Sequence, residues 1–431
     1  MNLVFVLDAN KTPLLPCHPM RARKLLESGK ASVYKRYPFT IILKRVVENP
    51  VDPNLEIKVD PGSKTTGIAV VNPHTKRVVF AGNLHHRGER IVSDLLKRSQ
   101  VRRGRRNRKT RYRKPRFDNR KKEEGWLPPS LLSRVNNVVV WTQRLMKYCP
   151  IGVIHVETAK FDTQLMQNPE ISGIEYQQGT LQGYEVKEYL LEKFDYKCAY
   201  CGIQNVPLEV EHVWAKSKGG SDRVSNLVIS CVKCNDEKTN MPIEEFLKDR
   251  PELLKKIQSQ MKASLKDSAV MNAIRYRIGD ELKKLGLPVC FWTGGRTKYN
   301  RHKQGYPKEH WIDAACIGEG GDDVLLDPNM QILIIEAIGR GNRQMCLMDK
   351  YGFPRTKPKQ SKRVHGFQTG DMVRLVQPSG KYAGTYVGKV VVRARGDFDI
   401  ITKERQKITA TWKRFTLLQR FDGYSYTFSP A

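Results

Sequence analysis

Two Cys-x-x-Cys pairs, Cys198-Ala-Tyr-Cys201 and Cys231-Val-Lys-Cys234, stand 29 residues apart (202–230). Four thiolates so spaced make a closed tetrahedral zinc site. A closed site has no position for substrate, so this zinc is expected to be structural. The alternatives are two unrelated pairs of buried thiols, or a redox pair. A redox pair needs a thioredoxin-like strand and helix around it, and the flanking sequence offers neither. The chain has nine cysteines, an odd number, which argues against a closed disulfide framework. The other five (Cys17, Cys149, Cys290, Cys316, Cys346) read mostly as small buried residues.

Between the pairs lie Glu211, His212 and Asn226; Asn235 follows the second pair at the start of a helical segment, with Lys238 beyond. A carboxylate, a histidine and two carboxamides on one zinc scaffold can hydrolyse a phosphodiester. A hard cation such as Mg²⁺ takes oxygen ligands. A histidine can remove a proton from water near neutrality. Neighbours on a strand face opposite sides, so Glu211 and His212 can serve one phosphate only at a strand end or bend. The bland alternative is a zinc-stapled binding knuckle without catalysis.

A second set is scattered. Asp60 ends an apolar strand before Pro61-Gly62, Glu157 ends another, and His310 and Asp313 lie one helical turn apart. Singly, these read as a turn residue, a strand-end solubiliser and a solvated helix pair. Together they are a site. Carboxylates on adjacent strand ends, about 4.8 Å apart, can meet, and their repulsion favours cations between them. Two divalent ions would stabilise both oxygens of a phosphoryl displacement, and His310 could activate the water.

The elements that must position these residues are legible in outline. Residues 1–55 read as a small α+β unit. Three closely spaced strands (57–60, 67–71 and 78–81) read as an antiparallel meander. Ser130 is expected to cap an amphipathic helix carrying Val135, Val138 and Leu145. The strand Val153–Glu157 follows, then a compact α+β module over about 185–245. One long helical pattern spans Pro251–Leu285, ending at Gly286 and Pro288. Val289–Trp292 reads as a strand, the Gly- and Arg-rich stretch after it as a loop, and His310–Ile317 as a helix. From about 366 onward, β-strands with Gly-rich turns suggest a small barrel.

Charge narrows the partner. The chain has 76 Lys and Arg against 44 Asp and Glu, a net +32. Residues 97–122 hold fifteen Lys or Arg and one acid, Asp118. A long exposed helix lying on phosphates fits this stretch better than a disordered basic segment. Arg102, Arg103, Arg105, Arg106, Arg108, Arg111 and Arg113 are its candidate phosphate contacts. No run approaches the roughly 18 apolar residues of a membrane span. With no leader-like N-terminus, the chain reads as soluble and intracellular, and the field as meant for nucleic acid.

The residues around His212 resemble the HNH nuclease family, whose ββα-metal module often carries such a zinc clasp. The resemblance implies that His212 is the general base, Glu211 and Asn235 hold the metal, and Asn226 positions the histidine loop. Glu211 replaces the more usual Asp, and Asn235 stands where the final His would be. Asp60, Glu157 and the His310-x-x-Asp313 pair resemble the RuvC branch of the RNase H-like nucleases, split in three. An Arg-rich helix follows the first piece, and the HNH module separates the second from the third. That order resembles the IscB family of transposon-associated RNA-guided nucleases, related to the type II CRISPR effectors, over nearly the whole chain. Pro13-Leu14-Leu15-Pro16 stands where that family carries Pro-Leu-Met-Pro.

The resemblance implies a mixed α/β multidomain protein. Its parts would be an N-terminal domain (1–55), RuvC part I (56–84), an Arg-rich bridge helix region (85–125), RuvC part II (126–184), the HNH module (185–245), RuvC part III (246–340) and a C-terminal SH3-like β-barrel (341–431) that binds RNA and reads a target-adjacent motif. It implies Mg²⁺ or Mn²⁺ at both sites and structural Zn²⁺. A structured guide RNA (omega RNA) would pair with double-stranded DNA beside a flanking motif, in a monomeric cytoplasmic ribonucleoprotein. HNH would cut the paired strand and RuvC the displaced one. Two other readings remain open from the sequence: a protein-guided HNH homing or restriction-type endonuclease, and a catalytically inactive nucleic-acid-binding protein.

Overall fold

The structure is a computed structural model of the 431-residue chain. It describes residues 3–48, 50, 54–107, 125–158, 184–220, 222–261, 266–340, 346–347, 349–351, 353–357, 361–401 and 407–430. The protein is mixed α/β, with several sheets; the N-terminal and C-terminal sheets have cores of their own, and the central sheet shares one with the module around the cysteines.

Its centre is a seven-stranded sheet. In spatial order the strands are Val289–Trp292, Ile151–Glu157, Leu55–Asp60, Thr65–Val71, Val78–His85, Gln331–Ala337 and Tyr424–Pro430. The first three are parallel to one another. Leu55–Asp60 then continues into the antiparallel meander. Gln331–Ala337 runs parallel to Val78–His85, and Tyr424–Pro430 pairs antiparallel at the edge.

The period of two along Leu55–Asp60 decides what faces what. Leu55, Ile57 and Val59 are each 0% exposed on one face; Glu56, Lys58 and Asp60 lie on the other. The helices Pro129–Met146 and Lys266–Lys283 join the first face in one core through Val135, Val138, Trp141, Leu145, Ile274 and Ile278. The short helix His310–Ala315 covers the second face, with Trp311, Ile312 and Ala314 in a core with Ala69, Val71 and Ala81.

Its approach is close because Gly67 has no side chain: a Cβ there would stand 1.8 Å from the His310 carbonyl oxygen. Gly67→Ala must push the helix off the sheet. We expect a stability loss of about 1–3 kcal/mol, the scale of an overpacked core, read as a lower midpoint in urea.

Three further units surround this sheet. A four-stranded sheet near the N-terminus, ordered Pro13–Cys17, Val4–Leu7, Thr40–Leu43, Ala31–Lys35, packs with the helix Pro19–Glu27. The strands Leu208–His212 and Leu227–Cys231 form a hairpin-like pair followed at once by the helix Val232–Lys238. A five-stranded antiparallel sheet over 372–419 buries Val373, Leu375, Val390, Phe398 and Ile400. No helix among the described residues is long and apolar enough to cross a membrane.

Several expectations need correction. Ser130 does not cap its helix: the N-cap is Pro128, Pro129 opens the helix, and Ser130 is buried inside the first turn. The Gly- and Arg-rich stretch is not a loop but the helix Gly294–Lys303, capped by Thr293, whose side chain accepts from the Arg296 N–H. The cap outweighs the poor helix propensity of Gly294-Gly295. The pattern over 251–285 is two helices, Pro251–Met261 and Lys266–Lys283. Tyr424–Pro430 leaves the C-terminal domain assigned to 341–431 and joins the central sheet. Its aromatic residues explain the move: the rings of Tyr424 and Tyr426 meet Trp141 at 5.8 and 6.0 Å. Of the basic segment, residues 97–107 belong to the helix Gly88–Asn107, and residues 108–122 lie outside the described residues.

Candidate active sites

Three distant parts of the chain meet at one end of the central sheet. The pairing Val59↔Val156 brings the strand ends at Asp60 and Glu157 side by side, and Trp292 pairs with Glu157. His310 opens the helix lying across them, and its Nδ1 is 3.4 Å from the Asp60 Oδ2. Asp313, buried on the same helix, pairs with Arg301 (Nε to Oδ1, 2.8 Å) and Lys308 (Nζ to Oδ2, 3.0 Å).

The helix is fixed at its other end too. The turn that leaves it carries the carbonyls of Cys316, Ile317 and Gly318, which need partners. Asn300 donates to the carbonyls of Cys316 and Gly318, both at 2.9 Å. The fully buried Lys58 donates to that of Ile317 at 2.8 Å. Lys58 lies on the same strand face as Asp60, so one strand grips both ends of the helix that carries His310 and Asp313.

The electrostatics are those of crowded acids. Burial first, then the charges of Asp60 and Asp313, push the Glu157 carboxyl well above the usual glutamate range, although Thr297 hydrogen-bonds to it. Burial also raises Asp313; Lys308 and Arg301 pull it back without cancelling the rise. For His310, burial pulls the ring down, but the hydrogen bond and charge of Asp60 outweigh it and the pKa is raised. Gly294 makes room for Glu157: a Cβ there would lie 2.9 Å from Oε1.

Glu157 carries a prediction with a definite sign. Its folded pKa is raised, so the folded chain binds the proton more tightly than the unfolded one. Its contribution is therefore present below the ordinary glutamate pKa and lost as pH rises through the raised value. In EDTA, Glu157→Gln should melt above the wild type at about pH 8, and the gain should vanish by about pH 4. Thermal melts at the two pH values check this.

The second site is built on the Leu208–His212 strand. His212 is its last residue, so the strand end needed for Glu211 and His212 to act together is present. The imidazole Nε2 is 2.7 Å from Asp222 Oδ1, and the other Asp222 oxygen is 2.8 Å from Lys216 Nζ. Asn226 ties down the loop after His212: its Oδ1 accepts from the Trp214 N–H at 2.9 Å and its Nδ2 donates to the Trp214 carbonyl at 3.0 Å.

Glu211 has unexpected partners. It is 4% exposed, and the fully buried Lys238 donates to its Oε1 at 2.6 Å and to the His212 carbonyl at 2.9 Å. The Tyr200 hydroxyl donates to Oε2. Asn235 turns its amide to Glu209, at 3.1 Å. The expected shared cation of Glu211 and Asn235 thus meets a carboxylate paired with Lys238 and an amide bonded to another acid.

The four cysteine sulfurs all lie within 4.8 Å of one another, and Cys201 Sγ is 3.7 Å from Cys231 Sγ. A tetrahedron with Zn–S bonds of about 2.3 Å has edges of about 3.8 Å, so the donor set fits zinc. Among the described residues this is the one acid, histidine or cysteine cluster so tightly drawn.

Of the candidate arginines, Arg102, Arg103 and Arg106 are exposed on the helix Gly88–Asn107, which also contains Arg105. Arg108, Arg111 and Arg113 lie outside the described residues. Sequence reasoning missed Tyr200, Asp222, Thr297, Arg301 and Lys308. Only Lys308, two residues before His310, had a local signal.

Residues 198–241 match the HNH endonuclease family. The four-cysteine module is an HNH endonuclease domain. Residues 4–179 match the family described as RRXRR protein. Together these support a nuclease hydrolase. No curated protein matches the chain.

Solved structures similar to it include the Type II-C Cas9 enzyme from Actinomyces naeslundii, at 16% identity and TM-score 0.16, covering 43% of this chain and 26% of that one. Streptococcus thermophilus Cas9 in complex with the AGAA PAM is 12% identical at TM-score 0.20, covering 62% and 32%. The same Cas9 with the GGAA PAM is 11% identical at TM-score 0.19, covering 61% and 31%. The chain thus spans a third or less of the length of these structures.

Proposed function

We propose that the chain is an RNA-guided DNA endonuclease of the IscB type with two cutting sites. The observation that carries this is the meeting of Asp60, Glu157, His310 and Asp313 at one sheet end, from segments that flank the HNH domain in the chain. A sheet assembled from such separated pieces is what a split RuvC core requires. The five-stranded sheet over 372–419 suits an SH3-like barrel that meets RNA and the DNA beside the target.

In the HNH domain, His212 takes the proton from the attacking water and Asn226 holds its loop; Glu211 and Asn235 would hold Mg²⁺ only once Glu211 gives up Lys238 and Tyr200 and Asn235 gives up Glu209. At the sheet end, Asp60, Glu157 and Asp313 would hold Mg²⁺ or Mn²⁺, and His310, steadied by Asp60, moves the proton. The divalent ions supply charge stabilisation for the phosphoryl oxygens. The HNH domain cuts the guide-paired strand and the RuvC-like site the displaced strand. The Arg-rich helix lies on RNA phosphates without reading sequence. The partners are a structured omega RNA and double-stranded DNA with a flanking motif, in a monomeric, cytoplasmic ribonucleoprotein.

The test is RNA dependence. Protein purified from its native cells should carry one long structured RNA species, and ribonuclease treatment should end sequence-specific cutting in Mg²⁺. Undiminished cutting after the RNA is destroyed would overturn the proposal in favour of a protein-guided HNH enzyme.

A further inference from the structure

We infer that Tyr196 is a positioning residue for the RuvC-like carboxylate site, acting through Lys308 and Arg301. The inference rests on the reading of Asp60, Glu157 and Asp313 as holders of divalent cations. Tyr196 belongs to the lead-in of the HNH domain, two residues before Cys198. The helix Tyr184–Lys193 ends in two consecutive left-handed residues, Asp195 (φ 52°) and Tyr196 (φ 55°). A bulky residue rarely adopts this backbone, and here it is closed by the Tyr196 N–H donating to the Leu191 carbonyl at 2.8 Å.

The ring of Tyr196 lies against both cations that hold Asp313. Lys308 Nζ is 4.3 Å from the ring centroid and donates to the Tyr196 hydroxyl at 3.2 Å. Arg301 Cζ is 5.9 Å from the same centroid. Both cations end on Asp313, one on each oxygen, at 3.0 and 2.8 Å.

The two cations are not equally secure. Arg301 is buried, and it also donates from Nη1 to the Tyr306 carbonyl at 3.2 Å. Lys308 has a flexible stem and a side chain 31% exposed. Its charge already acts on Glu157. Aromatic face and hydroxyl together hold the ammonium to one side. Without them it can swing onto Asp60 and Glu157 and compete there with a divalent ion. Tyr196 therefore sets how available the carboxylates are, and does so from the edge of the other nuclease domain.

The test reads metal binding on the full-length protein without RNA or DNA. Mn²⁺ is titrated and followed by electron paramagnetic resonance, and the ions that disappear in Asp60→Ala are assigned to this site. Tyr196→Ala should weaken their binding about fivefold, the scale of one cation–π contact. Tyr196→Phe keeps the ring and should stay within about twofold. The double variant Tyr196→Ala/Lys308→Gln should bind at least as tightly as the wild type, because the ammonium then competes neither for Asp60 and Glu157 nor for Asp313. Zinc content and melting temperature, unchanged across the set, show that the HNH domain is intact.

Unaltered Mn²⁺ affinity in Tyr196→Ala overturns the inference, as does a double variant no tighter than Tyr196→Ala. Absence of any Asp60-dependent Mn²⁺ in the wild type overturns the cation-site reading itself, and this inference with it.

Discussion

Asp60→Ala is expected to stop cutting of the displaced DNA strand while the guide-paired strand is still cut, and His212→Ala to do the reverse. The two sites share no side chain. Asp60 ends a strand of the central sheet and contacts His310, whereas His212 ends a strand of the HNH domain and contacts Asp222. Removing Asp60 deletes one acidic ligand and the group that raises the His310 pKa. Removing His212 deletes a general base, a change that costs about 10²–10⁴ in rate. The readout is a duplex with a different label on each strand, cut by the RNA-loaded protein in Mg²⁺. Loss of both cuts by either substitution would sink the two-site assignment. Unchanged cutting in Asp60→Ala would remove the RuvC-like site alone.

The residues of these sites were legible because their types are costly elsewhere. Acids at strand ends and paired thiols stand out against apolar runs. Asp60, Glu157, His310 and Asp313 could be named from the sequence, since a strand ending in an acid and a helix opening His-x-x-Asp are local patterns. Their convergence was an inference from chemistry; no local pattern contains the pairing of Val59 with Val156.

What escaped notice was set by long-range packing. The helix Gly294–Lys303 looks like a loop in the sequence because its Gly-Gly start is a poor helix former; the gap it leaves for Glu157 becomes visible only when the strand end is in place. The pairing of Glu211 with Lys238 joins residues 27 positions apart through a buried ion pair that periodicity does not encode. Tyr424–Pro430 alternates like any barrel strand. Its pairing with Gln331–Ala337 and its contact with Trp141, some 280 residues earlier, assign it to the central sheet.

Cys231→Ser is expected to unfold the HNH domain and abolish cutting of the guide-paired strand, leaving the displaced-strand cut. Cys231 is the last residue of the strand Leu227–Cys231 and the N-cap of the helix Val232–Lys238, so it holds the β–α junction itself. The upstream strand follows Asn226, and the helix carries Asn235 and Lys238. Losing the junction therefore scatters the groups around His212. The matched domain spans only residues 198–241, close to the size of about 40 residues below which a fold needs metals or disulfides. Structural zinc in small peptides contributes about 10–16 kcal/mol of apparent binding free energy at neutral pH, and that energy is folding energy. Leu55, Ile57, Val59 and Trp141 share one core with Val228, Ile229 and Cys231 of the HNH domain, but the other face of the sheet has a separate core of Ala69, Val71, Ala81, Trp311 and Ile312 that holds the His310 helix, so the RuvC-like site should survive. Elemental analysis should find one zinc per wild-type chain and none in the variant, with fast amide exchange confined to the HNH domain. A variant that loses its zinc yet keeps slow exchange there and cuts both strands would show that the cysteines do not hold the domain together.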